Sequence, residues 1–142
     1  WKMREAILEA ITEAGPAYHL DISLPLARIS LFVDEMDAEM DRLGFQPLTV
    51  GHLGDGNLHY ALAAKSGLSW PDLPLEAAKE KVFKKLGELG GSFSAEHGIG
   101  QSKLVVMAKL EEPSQLAVMR AVKRALDQNN IMNPGKLLPA EC

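Results

Sequence analysis

Gly51-His52-Leu53-Gly54-Asp55-Gly56-Asn57-Leu58-His59 joins two strand-like runs, Pro47-Leu48-Thr49-Val50 before it and Leu58-His59-Tyr60-Ala61-Leu62 after it. Asp-Gly between such runs is a strong hairpin signal, because a type I′ turn needs positive φ at both central residues. With Asp55 and Gly56 as the turn, Leu53 faces Leu58 and His52 faces His59. Directly opposed residues have Cβ atoms about 4.5–5.5 Å apart and share a face. Two imidazoles placed so can share one metal ion. Asn57, two residues before His59, falls on the same face.

Working outward, each flank of the hairpin carries a helix and a strand. Residues 17–23 alternate, with Tyr18, Leu20 and Ile22 on one side and Ala17, His19, Asp21 and Ser23 on the other. Pro25 opens a helix expected to run to about Leu43, with Leu26, Ile29, Val33, Met36, Met40 and Leu43 as its apolar stripe. Its acids, Asp34, Glu35, Asp37, Glu39 and Asp41, read as the wet face. The hairpin strands are expected at 46–53 and 57–64. A second helix, 74–89, ends at Gly90-Gly91, and Ser92-Phe93-Ser94-Ala95 reads as a short strand. The order β-α-β-β-α-β is the ferredoxin-like, split βαβ arrangement, an α+β fold with helices on one face of an antiparallel sheet. An N-terminal helix over 2–14, two C-terminal helices near 101–110 and 114–128, and an irregular tail from Asn129 complete the reading.

The chain has 142 residues, 46% hydrophobic and 24% charged, which suits a globular domain with a core. Net charge −4 and the lack of a Lys/Arg cluster argue against a nucleic-acid partner. Cys142 is the single cysteine, so a disulfide framework is excluded and a reducing compartment, the cytoplasm, is expected. No apolar run approaches the roughly 20 residues of a membrane span. The start at Trp1 rather than methionine reads as a fragment or a trimmed product.

Glu96-His97, at the strand-to-loop junction before Gly98-Ile99-Gly100, adds a carboxylate and a third imidazole. His52, His59 and Glu96 together make a His2Glu set, an arrangement that holds catalytic zinc with one position open. His97 is then a spare base beside it. Gly98-Ile99-Gly100 is a turn and not a phosphate loop, since no Gly-Lys-Ser/Thr follows. His19 on its strand's polar face can equally be a solvated residue.

Three stretches closely resemble the C-terminal domain of FAD-linked oxidases, the group of glycolate oxidase subunits, D-lactate dehydrogenases and D-2-hydroxyglutarate dehydrogenases related to vanillyl-alcohol oxidase. They are Gly51 to His59, Ser94 to Gly100, and Met132-Asn133-Pro134-Gly135-Lys136-Leu137-Leu138-Pro139. Trp1 to Glu5 and Asp21 to Pro25 fit as well, so the resemblance spans nearly all of 1–142. It implies the substrate, or cap, domain of a flavoenzyme whose N-terminal FAD-binding domain is not in this chain and is supplied by the same polypeptide or a second one. It further implies a divalent metal, zinc in the best-matching members, on His52, His59 and Glu96. His97 is implied as the base for the substrate hydroxyl, Asn57 as a substrate contact, and Asn133 as a neighbour of the flavin.

The resemblance also carries a departure. Where D-2-hydroxyglutarate dehydrogenases clamp a distal carboxylate with arginine, threonine and lysine, this chain has Arg4, Leu8 and His19. Leucine donates no hydrogen bond, and histidine is a weaker, pH-dependent cation. A small 2-hydroxy acid such as lactate or glycolate is therefore expected at least as much as a dicarboxylate. Peripheral membrane association and a homodimer are left open. The rival readings are a stand-alone ferredoxin-like module that binds a metal or ligand without redox activity, and a small zinc hydrolase.

Overall fold

The computed structural model describes residues 15–140, together with Lys2 and Ala6. Of the expected helix over 2–14, Lys2 and Ala6 are described and are helical; the rest, with Arg4 and Leu8, lies outside the described residues. The chain divides into two compact units, Trp1–Glu96 and His97–Cys142.

The first unit is built on three antiparallel strands, β1 (Ala17–Ser23), β2 (Phe45–His52) and β3 (Asn57–Ala64), in the order β1-β3-β2. Between β1 and β2 runs helix α1 (Ile29–Arg42), and after β3 comes α2 (Leu75–Leu89). Alternation sends Tyr18, Leu20 and Ile22 of β1 to the same face as their partners Leu62, Tyr60 and Leu58 of β3. Both helices cover that face. Phe32 of α1 meets Tyr60 edge-on, with ring centroids 5.5 Å apart, and the Tyr60 hydroxyl donates to Asp37 at 2.9 Å. Lys79 of α2 lies over the Tyr18 ring at 5.3 Å. Phe32, Met36, Met40, Leu58, Tyr60, Leu62, Val82 and Leu86 form the core.

The α+β architecture stands as expected, with three local corrections. The fourth strand contracts to one bridge, Ser92 to Ser23, on the outer edge of β1, which is the ferredoxin-like position. Gly91 permits this approach: a Cβ there would meet the Ser23 carbonyl oxygen at 2.7 Å. The α1 stripe is rotated as well. Residues 26–28 form a 3-10 turn that takes Leu26 out of phase and leaves it exposed, and the buried row is Phe32, Met36 and Met40. Finally, Asp37 departs from the wet face to meet Tyr60, while Glu35 and Asp41 stay exposed on it as expected, and Glu35, Glu39 and Asp41 pair there with Lys85, Lys81 and Lys65.

The second unit contains α3 (Leu104–Leu110) and α4 (Pro113–Leu126), followed by the tail. Buried Asp127 organises that tail. Its carboxylate accepts the N–H groups of Ile131 and Met132, both at 2.9 Å, and the Lys123 ammonium. Lys123 also donates to the Met132 carbonyl at 2.6 Å. The Lys123 contact is the main reason the Asp127 carboxyl sits below its ordinary range, with the two backbone donors adding to it against burial.

Candidate metal and substrate site

The hairpin turn is wider than a two-residue Asp-Gly turn. His52 pairs with Asn57, Gly51 with Leu58 and Val50 with His59, which leaves the four residues Leu53 to Gly56 as the loop. Of these only Gly56 has positive φ, +78°, so a type I′ turn at Asp55-Gly56 does not form. Instead Asp55 N–H donates to the His52 carbonyl at 3.2 Å, and the Asp55 carboxylate accepts Asn57 N–H at 3.2 Å. Gly56 is pressed on Leu24. Its carbonyl accepts Leu24 N–H at 3.0 Å, and a Cβ on it would stand 2.1 Å from the Leu24 carbonyl oxygen. That docking holds the tip down and sets the register.

The register differs from the two-residue-turn expectation by two residues, so every side chain keeps its face. His52 and His59 are diagonal neighbours instead of directly opposed ones. Their rings meet edge-on with centroids 5.2 Å apart. Asn57, directly across from His52, is buried, and its Oδ1 finds no hydrogen-bond partner among the described residues. An orphaned acceptor at this position fits a site completed by a ligand.

Opposite the helices, this face also carries β1 residues that sequence reasoning passed over. Asp21 pairs directly with His59 and is 3% exposed. Its Oδ2 accepts the N–H groups of Glu96 at 2.8 Å and Ala95 at 3.2 Å, tying the segment after Ser92 to β1. Glu96 Oε1 thereby comes 3.3 Å from His59 Nε2, and Asp21 Oδ1 lies 3.9 Å from His59 Nδ1. Asp21, His59 and Glu96 each offer a ligand atom, all within 4.8 Å of one another. A neutral imidazole nitrogen facing a carboxylate oxygen needs a cation, proton or metal, between them. The donor set of imidazole and carboxylate suits zinc, and iron or manganese as well. The sequence signal for Asp21 was its place on the polar side of the β1 alternation.

His19 sits on this face too, exposed and paired with Ala61. Arg4 lies outside the described residues, so the expected pair of Arg4 and His19 is not assembled here. In the second unit, His97 follows Glu96 directly in the chain and is exposed. Asn133 adopts a left-handed conformation, φ 50°, and its carbonyl accepts Lys136 N–H at 3.2 Å. It lines a cleft of about 620 Å³ with apolar walls that include Val118, Val122, Leu126 and Met132.

The family model for FAD linked oxidases, C-terminal domain, matches residues 1–137. Among curated relatives, the mitochondrial D-2-hydroxyglutarate dehydrogenase of Arabidopsis thaliana is 36% identical over 139 residues, covering 98% of this chain and 24% of that protein. D-2-hydroxyglutarate dehydrogenase of Stutzerimonas stutzeri is 35% identical over 144 residues, covering 99% of this chain and 31% of its own length. D-lactate dehydrogenase of Anaerostipes hadrus is 36% identical over 144 residues, covering 96% and 29%. The chain thus spans about a quarter to a third of these relatives. With the match running from residue 1 through 137, the chain belongs to the C-terminal domain family of FAD-linked oxidases.

Proposed function

We propose that the chain is the substrate- and metal-binding cap of an FAD-dependent dehydrogenase that oxidises a 2-hydroxy acid to the 2-oxo acid. The observation that carries this reading is the approach of His59 Nε2 to Glu96 Oε1, 3.3 Å, on the sheet face shared with His52 and Asn57, within a chain of this family.

His52, His59 and Glu96 would hold a divalent metal, zinc by its ligand types. That ion and FAD, when bound, would supply Lewis acidity toward the substrate hydroxyl and an acceptor for the hydride that leaves C2. This chain's residues do the rest. His97 receives the hydroxyl proton, a task an imidazole performs near neutral pH. Asn57 donates or accepts at the substrate's polar end, which gives its orphaned Oδ1 a partner. Arg4 and His19, by the resemblance, would meet the far end of the substrate. With Leu8 in place of a hydroxyl residue, a monocarboxylate of the lactate or glycolate type fits at least as well as a dicarboxylate such as 2-hydroxyglutarate.

FAD is held mainly by a region outside this chain, with Asn133 as the cap's own neighbour of the flavin. The second unit supports such a pairing. Val118, Val122 and Leu126 repeat every four residues along α4 and are 64%, 53% and 77% exposed, continuing into Met132 and Leu137. A contiguous apolar surface of this kind is normally covered by a partner. Among the described residues no helix is long and apolar enough to cross a membrane. The lone cysteine supports a reducing compartment, the cytoplasm or, as the plant relative's name has it, the mitochondrion.

The test is metal content and turnover of the full-length enzyme beside a His52→Ala/His59→Ala variant, with lactate, glycolate and 2-hydroxyglutarate as substrates. About one equivalent of metal, lost with turnover in the variant, is expected. Full turnover without both imidazoles refutes the reading, and the stand-alone binding module then becomes the better one.

A further inference from the structure

We propose that Asp127 and Lys123 are positioning residues that pin the Met132 backbone and so hold Asn133 where it meets the flavin. The inference rests on the reading of Asn133 as the cap's neighbour of FAD.

Asp127, the residue after α4, gathers three successive N–H groups. Its main-chain carbonyl accepts Asn130 N–H at 3.0 Å, and its carboxylate accepts those of Ile131 and Met132, both at 2.9 Å. Lys123, one turn back on α4, binds the same carboxylate and donates to the Met132 carbonyl at 2.6 Å. Met132 is thus held at both ends, its N–H by the acid and its carbonyl by the base. That carbonyl belongs to the peptide bond that begins Asn133.

Asn133 itself is left-handed, φ 50°, a conformation that a residue with a side chain keeps where its surroundings impose it. The fixing continues past it. Its carbonyl accepts Lys136 N–H at 3.2 Å across Pro134 and a left-handed Gly135, φ 68°, the residue pattern of a type II turn. Asn133 therefore stands between two fixed peptides, on the wall of the cleft it shares with Val122 and Met132. A buried ion pair adds little net stability over apolar packing, and its best-attested use is to impose one conformation. Here the conformation imposed is that of the segment carrying Asn133.

The experiment is a double-mutant cycle on the full-length enzyme. FAD dissociation constants are measured by flavin fluorescence on refilling the flavin-free parent, Asp127→Ala, Asn133→Ala and the double variant. Hydrogen exchange over residues 128–136 is read by mass spectrometry on the same proteins. Each single variant is expected to bind FAD roughly 3–10-fold more weakly, the worth of one hydrogen bond. The double variant should lose no more than Asn133→Ala alone, and Asp127→Ala should exchange faster over 128–136. Losses that multiply in the double variant show Asp127 acting apart from Asn133 and overturn the inference, while the reading of Asn133 stands. FAD affinity within about twofold of the parent in Asp127→Ala overturns it as well. If Asn133→Ala binds FAD as the parent does, the reading of Asn133 fails and takes the inference with it. Lys123→Met keeps the stem and removes the hold on the Met132 carbonyl. It repeats the cycle should Asp127→Ala fail to fold, with the same pattern expected and the same results overturning it.

Discussion

Gly56→Ala is expected to damage both the fold and the site. At φ +78° a residue with a Cβ bears about 1–2 kcal/mol of left-handed strain. The new methyl would also sit 2.1 Å from the Leu24 carbonyl oxygen, a backbone atom with no rotamer to escape through. The tip must lift, and the hydrogen bond from Leu24 N–H to the Gly56 carbonyl is lost, about 1 kcal/mol more. The sum is about 2–3 kcal/mol. For a chain of this size that corresponds to a fall of about 6–15 °C in unfolding midpoint. His52 and Asn57 flank the loop directly, so metal content should fall as well. Gly54→Ala is the control, since a Cβ at Gly54 has nothing within 4 Å and its φ is not positive; it should stay within about 0.5 kcal/mol. The assay is thermal unfolding by circular dichroism with elemental analysis of the same samples. A Gly56→Ala protein with the parent's midpoint and metal content would refute the argument that the Leu24 contact sets the register.

Tyr60→Phe removes the hydroxyl donated to Asp37 while keeping the ring against Phe32, and should cost about 1–2 kcal/mol in urea unfolding. Burial first and the Asp37 hydrogen bond second push the Tyr60 phenol well above its ordinary range, so spectrophotometric titration should show it un-ionised at pH 11 while the protein stays folded. Because the Asp127 carboxyl titrates below its unfolded value, its contribution is present above that value and disappears as pH falls through the folded one. Amide exchange at Ile131 and Met132 should therefore accelerate on acidification, and Asp127→Asn should show the fast exchange already at neutral pH. His97→Ala in the full-length enzyme should lower turnover by roughly 10²–10⁴ with flavin content intact; an unaltered rate removes it from the mechanism. Val122→Glu, on the exposed stripe of α4, should weaken retention of the flavin-binding region, measured as FAD lost on gel filtration.

Periodicity made most of the first unit legible. The alternation over 17–23 gave β1 to the residue, and the apolar spacing over 75–89 gave α2, because a half-buried element must present one face to the core. What the pattern missed depends on contacts distant in sequence. Gly56 looks like half of a two-residue turn until Leu24 is known to lie against it. Ser92 to Ala95 reads as a strand by residue type, yet only Ser92 reaches its partner. Phe32 was passed over because the stripe was phased from Leu26, which a 3-10 turn displaces. At the site, His52 and His59 were found from the hairpin, and Glu96 was joined to them by its neighbour in the motif. Asp21 escaped because a carboxylate on a strand's polar side ordinarily faces water, and its burial follows from two backbone donors 74 and 75 residues away.

The two-residue difference between the expected and the observed hairpin register bears on how such a site can drift. Side chains on a strand alternate, so a re-pairing by two leaves both imidazoles over the same face, whereas a re-pairing by one sends His52 into the layer occupied by Phe32 and Tyr60. Insertions and deletions at the tip that alter pairing are thus filtered by parity. A change of loop length that leaves the pairing alone keeps both imidazoles over their face, while a slip of the pairing by one residue needs a bulge to restore it.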